Sequence, residues 1–118
     1  MITIKVARVA HTDYEINDFF RSISSHASSM DEYEIVHDGS FSDLFSDKIH
    51  FVKEPSNDSK IHITLPDNCV VLGRDWDKYI NYNLKNDKPI DPDFIKRRLG
   101  LVGRPDNGVF PDLSISFP

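Results

Sequence analysis

Hydrophobic and polar residues alternate along the first nine positions of the chain. The alternation predicts a strand over 2–9, with Ile2, Ile4 and Val6 facing a core. Thr12 and Glu15 then have the spacing of a capping box, in which the threonine hydroxyl accepts from the amide three residues later. The apolar residues that follow recur with the helical period: Ile16, Phe19, Phe20, Ile23 and Ala27. The pattern therefore predicts a helix over about 13–28 that buries Phe19, Phe20 and Ile23 against the first strand.

Alternation with period two returns in the middle of the chain. Residues 33–37 show it, which predicts a second strand. Residues 48–52 and 60–65 flank a polar, proline-containing turn and are predicted to form an antiparallel hairpin. If the apolar residues of both strands share one face, the pairing register places His50 and His62 together on the other face.

The last third of the chain predicts two helices between two short strands. Cys69–Leu72 is an apolar run that is typical of a buried strand. A helix over about 75–85, with Asp75 as its N-cap, is indicated by helical spacing of Trp76, Tyr79, Ile80, Asn83 and Leu84. Asp91-Pro92 supplies a cap and a first-turn proline for a third helix, which ends before Gly100. Alternation of Leu113, Ile115 and Phe117 predicts a final strand, and residues 40–47 and 103–111 show no regular pattern.

These elements predict an α+β fold, with two to three helices packed on a mixed or mainly antiparallel sheet. The chain has 118 residues, of which 39% are hydrophobic and 28% are charged, as in an ordinary globular protein. That length suits a single domain over 1–118.

Charge is distributed unevenly along the sequence. The net charge of the whole chain is −5, but residues 11–47 alone hold nine carboxylates against Arg21, a net charge of −8. Asp13, Glu15 and Asp18 stabilise a helix start, because carboxylates there complement the helix dipole. The remaining acids cluster around the second strand without an interleaved lysine or arginine, and two interpretations are open: a solvated face that serves solubility, or a partner-binding surface. The functional hypothesis below depends on the second interpretation, with these residues as the surface: Asp31, Glu32, Glu34, Asp38, Asp43 and Asp47.

The sequence carries no motif that indicates catalysis, a cofactor or a metal. Two histidines at hairpin positions are too few for a metal site, and no His-x-x-x-His or Cys-x-x-Cys spacing occurs. Cys69, the single cysteine, has apolar neighbours and is expected to be buried and unreactive. Lys96, Arg97 and Arg98 form a basic cluster, but they complement the end of a helix in an acidic chain, so direct nucleic-acid binding is not expected.

The leading functional hypothesis is a small acidic protein-binding module without cofactors. It is an inhibitor or neutralising partner of the immunity, antitoxin or anti-defence type, and it covers a basic, nucleic-acid-binding or nuclease surface of another protein. The alternative is a small enzyme or ligand-binding subunit with a site assembled around His50, His62 and Trp76. A third hypothesis is a structural subunit or a homodimer that uses an exposed strand edge, such as the C-terminal one. The start of the chain shows no signal-peptide pattern and no apolar run is long enough to span a bilayer, so we expect a cytoplasmic protein that does not bind membranes.

Overall fold

The structure, a computed structural model, describes residues 1–8, 12–28, 32–37, 49–103 and 113–118. Its elements, in chain order, are β1 (Ile2–Ala7), α1 (Asp13–His26), β2 (Tyr33–Val36), β3 (Ile49–Val52), β4 (Ile61–Pro66), β5 (Cys69–Val71), α2 (Trp76–Lys85), α3 (Pro92–Leu99), β6 (Leu101–Gly103) and β7 (Ser114–Ser116). The predicted α+β class is confirmed. The irregular segment predicted over 40–47 lies outside the described residues, as does most of the one over 103–111.

Five strands form one mixed sheet in the order β3-β2-β1-β4-β7. The first four of these are parallel to one another, and β7 is antiparallel to β4. The predicted mixed sheet is confirmed, with parallel pairing as its dominant mode. Strands β5 and β6 form a separate antiparallel pair.

The predicted hairpin between 48–52 and 60–65 is wrong. Both segments are strands, but β2 and β1 lie between them, and all four strands run in the same direction. A short polar segment between two alternating strands is typical of a hairpin, which made the antiparallel prediction reasonable. Here that segment, residues 53–60, is instead a crossover that carries the chain from one edge of the sheet to the far side of β1.

One face of the sheet is apolar and forms the centre of the core. The strands turn alternate residues to it, including Ile2, Ile4, Tyr33, Ile35, Ile49, Ile61, Ile63 and Leu65, all of them buried. Helix α1 covers this face with Phe19, Phe20 and Ile23, which are fully buried as predicted. The Phe20 ring packs edge-on against Phe51 of β3, with 5.3 Å between ring centroids, and against His37 at 4.9 Å.

The opposite face of the sheet is polar and carries the 53–60 crossover. The β1-to-β2 and β3-to-β4 connections run in opposite directions along the sheet, so right-handed crossovers place them on opposite faces. Two hydrogen bonds agree: the Ser56 amide donates to Glu34 Oε2 at 2.8 Å, and Thr3 Oγ1 donates to Ser59 Oγ at 2.6 Å. The crossover thus covers the polar centre of the sheet.

Capping residues define the ends of α1 and α3 as predicted. Thr12 Oγ1 accepts from the Glu15 amide at 3.2 Å, and Asp91 Oδ1 accepts from the Phe94 amide at 2.7 Å. Gly100 ends α3 in the left-handed conformation, with φ of 58°, that glycine adopts without strain. Asp75 precedes α2, but its predicted side-chain cap is absent, because the residue itself is left-handed with φ of 56°.

Helix α2 is anchored to the end of α1 by its first residues. The Asp75 amide donates to the His26 carbonyl at 2.7 Å, and Trp76 Nε1 donates to the Ile23 carbonyl at 3.0 Å. The carboxylate of Asp77 is fully buried and accepts from both the amide and the hydroxyl of Ser28, at 2.7 and 2.8 Å. These contacts join the second half of the chain to α1.

Within the described ranges, none of the three helices combines the length and the apolar character needed to cross a membrane.

Candidate partner-binding surface

The structure describes two of the six acidic residues that were expected to contact a partner. These are Glu32 and Glu34, on either side of the first residue of β2. Four others lie outside the described residues: Asp31, Asp38, Asp43 and Asp47. The described part of the acidic segment also includes three acids of α1, namely Asp13, Glu15 and Asp18.

Glu32 meets the expectation of an exposed carboxylate. Its side chain is 53% exposed, and its Oε2 atom lies 3.3 Å from Nε2 of His50 on the neighbouring strand, which is 44% exposed. A contact this open to water contributes little to stability, because solvent screens it. The Glu32 carboxylate therefore remains accessible to a cationic group of another molecule.

Glu34 does not meet that expectation, because its side chain is buried. Its exposed fraction is 1%, and its Oε2 atom accepts from the Ser56 amide. The side chain points to the polar face of the sheet, where residues 53–60 cross over it. Glu34 thus holds the crossover on the sheet and offers no charge to a partner.

The described acids of residues 11–47 form two groups. One lies near the carboxyl ends of the parallel strands, which we call the carboxyl edge, and the other lies near their amino ends, which we call the amino edge. The chain leaves β1 at the carboxyl edge, runs back along α1 and enters β2 at the amino edge, because β1 and β2 are parallel. The first turn of α1, with Asp13 and Glu15, therefore lies toward the carboxyl edge, and Glu32 lies at the amino edge. A 14-residue helix separates the two groups by roughly 20 Å, at 1.5 Å per residue.

The alternative site around His50, His62 and Trp76 is not assembled. His50 pairs across the sheet with Glu34, Glu34 with Thr3, and Thr3 with His62. Three strand spacings of about 4.8 Å separate the two histidines by roughly 14 Å, although both lie on the polar face. Trp76 is fully buried on the apolar side, where its ring packs edge-on against Tyr33 with centroids 5.0 Å apart. The three side chains therefore cannot contact one ligand.

In the described part of the chain, no three histidine, cysteine or acidic side chains come together in a group that could hold a metal ion. Cys69 is fully buried, as predicted, and its thiol donates to the Pro66 carbonyl at 3.0 Å. Burial raises the pKa of the Cys69 thiol to about 12, so the thiolate needed for nucleophilic chemistry does not form near neutral pH.

The basic cluster of α3 divides between two surroundings. Lys96 and Arg97 line a shallow, open hollow together with Asp91 and Asp93, so opposite charges alternate there. Arg98 turns away and places its guanidinium carbon 4.5 Å from the ring centroid of Tyr79. The three cations therefore do not form one positive surface of the kind that phosphate groups require.

Sequence reasoning missed a surface made of aromatic rings and cations on α2 and α3. Tyr79 was assigned to the buried side of its helix together with Trp76 and Ile80, but it is 42% exposed, and Tyr82 is 54% exposed. The two tyrosines are three residues apart and therefore lie on the same side of α2. That spacing, together with Lys88 six positions after Tyr82, was the available signal, whereas Arg98 lies on another helix and is not close to Tyr79 in sequence.

Comparison with models of known protein families gives no match. The comparisons with curated proteins and with solved structures likewise give no significant match.

Proposed function

We propose that this chain is a small acidic protein-binding module. Its partner is a protein with a basic surface, such as a nuclease or another nucleic-acid-binding protein, and the chain acts as an inhibitor or neutralising partner of the immunity, antitoxin or anti-defence type. It needs no cofactor in this role. Binding to such an intracellular target would require a cytoplasmic location, which is part of the proposal.

The observation that carries the proposal is the separation of charge along the chain. Residues 11–47 have a net charge of −8, while residues 1–10 and 48–118 together have a net charge of +3. Ordinary soluble surfaces mix both signs, because like charges repel one another. A field of one sign attracts a partner of opposite sign and accelerates its diffusional encounter.

The accessible carboxylate at Glu32 supports a role for the amino edge of β2 in that contact. Asp31 precedes it directly in the sequence and adds a second negative charge at that point of the chain. Exposed charges at the rim of an interface act mainly on the association rate, and their effect decreases as salt increases. The acidic segment would then compete with the phosphates of a nucleic acid for the same basic surface of the partner.

The test begins with affinity capture of partners from the native host by the tagged protein. The captured protein is then purified, and its binding to a labelled oligonucleotide is measured with and without the acidic chain. We expect the chain to displace the oligonucleotide, since both ligands would occupy one basic surface. If the captured protein binds its nucleic acid equally well in the presence of the chain, the proposed inhibition is wrong.

Charge reversal at the amino edge tests the surface itself. Asp31→Lys with Glu32→Lys should slow association with the captured protein by about tenfold or more, and it should reduce the salt dependence of the rate. Glu34 is left unchanged because it is buried. The matched control is Lys96→Glu with Arg97→Glu, two exposed cations on α3. If the control pair abolishes binding while the acidic pair has no effect, the partner binds α3 instead.

A further inference from the structure

Helices α2 and α3, with the residues that follow α2, carry a surface in which two cations lie over aromatic rings. The guanidinium carbon of Arg98 lies 4.5 Å from the centroid of Tyr79 and 5.5 Å from that of Phe94. The ammonium nitrogen of Lys88 lies 4.8 Å from the centroid of Tyr82. We call these five residues the cation–aromatic face.

The composition of the cation–aromatic face is that of a protein interface. Tyrosine and arginine are enriched at the energetically important centres of such interfaces, because each combines apolar area with directed hydrogen bonds. Contact with two rings also restrains Arg98, which reduces the entropy that is lost when a partner binds. Neither tyrosine is needed to fill the core, since the buried side of α2 is provided by Trp76 and Ile80.

The stacked cations also determine which partner suits this face. A single-stranded nucleic acid would stack its bases on the tyrosine rings, but Arg98 and Lys88 already cover one face of each ring. A guanidinium in contact with a ring still carries five N–H donors, which can bind a carboxylate through two hydrogen bonds. The face therefore fits carboxylates that lie beside an aromatic or apolar side chain.

The first turn of α1 presents that chemistry on this same chain. Asp13 is exposed, Tyr14 is 72% exposed, and Glu15 follows directly. We propose that the cation–aromatic face of one copy binds the first turn of α1 in a second copy, so that the protein associates with itself head to tail. If both contacts form between the same two copies, the assembly is a two-fold dimer, and otherwise it grows as a ring or an open chain. The contact leaves Glu32, at the other end of α1, accessible to the partner.

The test uses the purified protein alone, so its outcome does not depend on the partner proposed above. Sedimentation velocity over a concentration series should show reversible self-association at about 0.02 M salt that weakens at about 0.5 M salt, as screening predicts. Arg98→Glu and Asp13→Lys should each weaken association by about tenfold or more, because each places like charges in the contact. An equimolar mixture of the two variants should recover it, since the introduced lysine of one chain then faces the introduced glutamate of the other.

Two controls distinguish this contact from a general effect of net charge. Arg74→Glu and Glu54→Lys change the charge equally at other exposed positions, and they should leave self-association unchanged. Thermal melts verify that every variant is folded. A wild-type protein that stays monomeric over the whole series would overturn the proposal. It would also be overturned if both charge reversals had no effect, or if an oligonucleotide bound the protein through Arg98.

Discussion

At the scale of single residues, the aromatic side chains of α1 set much of the stability of the fold. Phe20 is fully buried and packs edge-on against both Phe51 and His37. Phe20→Ala should lower the free energy of unfolding by about 3–5 kcal/mol, because the cavity adds to the lost burial of the ring. Denaturant titration measures the change, with exposed Arg21→Ala as the control. A loss below about 1 kcal/mol for Phe20→Ala would mean that the ring is not in the core.

Two buried groups that lose a proton at alkaline pH, the Cys69 thiol and the Tyr33 hydroxyl, predict that stability decreases there. Burial raises the pKa of Cys69 from 9.0 to about 12, and burial together with the charge of Asp77 raises the pKa of Tyr33 from 10.0. Because both pKa values are lower in the unfolded chain, the unfolded chain releases these two protons at a lower pH than the folded protein does. The stability that they contribute is complete below pH 9 and is lost as pH rises toward the folded pKa values.

Thiol labelling measures the cysteine part of this effect directly. At pH 8 the native protein should react with a thiol reagent far more slowly than the protein unfolded in denaturant, because the folded thiol is neutral and buried. The matched variant Cys69→Ser should show a smaller decrease in stability above pH 9. Equal labelling rates in the native and unfolded states would contradict the burial.

Residue-scale features were predicted well where they depend on nearby sequence. The caps at Thr12 and Asp91, the left-handed Gly100 and the buried Phe20 each follow from spacing within one or two helical turns. Glu34 was predicted incorrectly as a surface residue, because its burial depends on Ser56, 22 positions away. Local sequence contains no signal for which loop will cross which face of a sheet.

At the scale of elements, the strands of the five-stranded sheet were placed correctly, but the predicted pairing of β3 with β4 is wrong and β6 was not predicted. The alternation that defines β3 and β4 fixes which residues face the core, and that part of the prediction is confirmed by buried Ile49, Ile61 and Ile63. Alternation is the same in parallel and antiparallel strands, so it does not determine direction or neighbours. The eight residues between the strands are few for a parallel crossover, which favoured the hairpin.

The corrected pairing provides a sharper reason to expect no metal requirement. His50 and His62 are separated by two strands, and two ligands of one zinc ion must each lie about 2.0 Å from it. We expect chelator treatment to leave the melting temperature unchanged, and the double variant His50→Ala with His62→Ala to show the same insensitivity. Stoichiometric zinc in the purified protein, with a lower melting temperature after chelation, would refute this expectation.

At the scale of the whole molecule, a single core joins the two halves of the chain. The buried cluster includes residues of β1 to β4 and α1 together with Trp76, Ile80, Ile95 and Leu99 from α2 and α3. A polar connection reinforces this apolar one, because buried Asp77 accepts hydrogen bonds from both the amide and the hydroxyl of Ser28, two residues after the end of α1. The acidic segment 11–47 and the rest of the chain are therefore joined by structure, and we expect them to unfold together.

Asp77→Ala tests whether the two halves form one cooperative unit. The substitution leaves the amide and hydroxyl of Ser28 without their acceptor, which should lower the free energy of unfolding by about 2–3 kcal/mol. If the chain is one unit, the denaturation midpoint falls while the slope of the transition stays the same, since the surface exposed on unfolding is unchanged. Asp58→Ala, at an exposed position of the crossover, is the control and should have little effect. Two separate transitions in the Asp77→Ala protein, followed by Trp76 fluorescence and by circular dichroism, would show instead that α2 and α3 can detach while the five-stranded sheet stays folded.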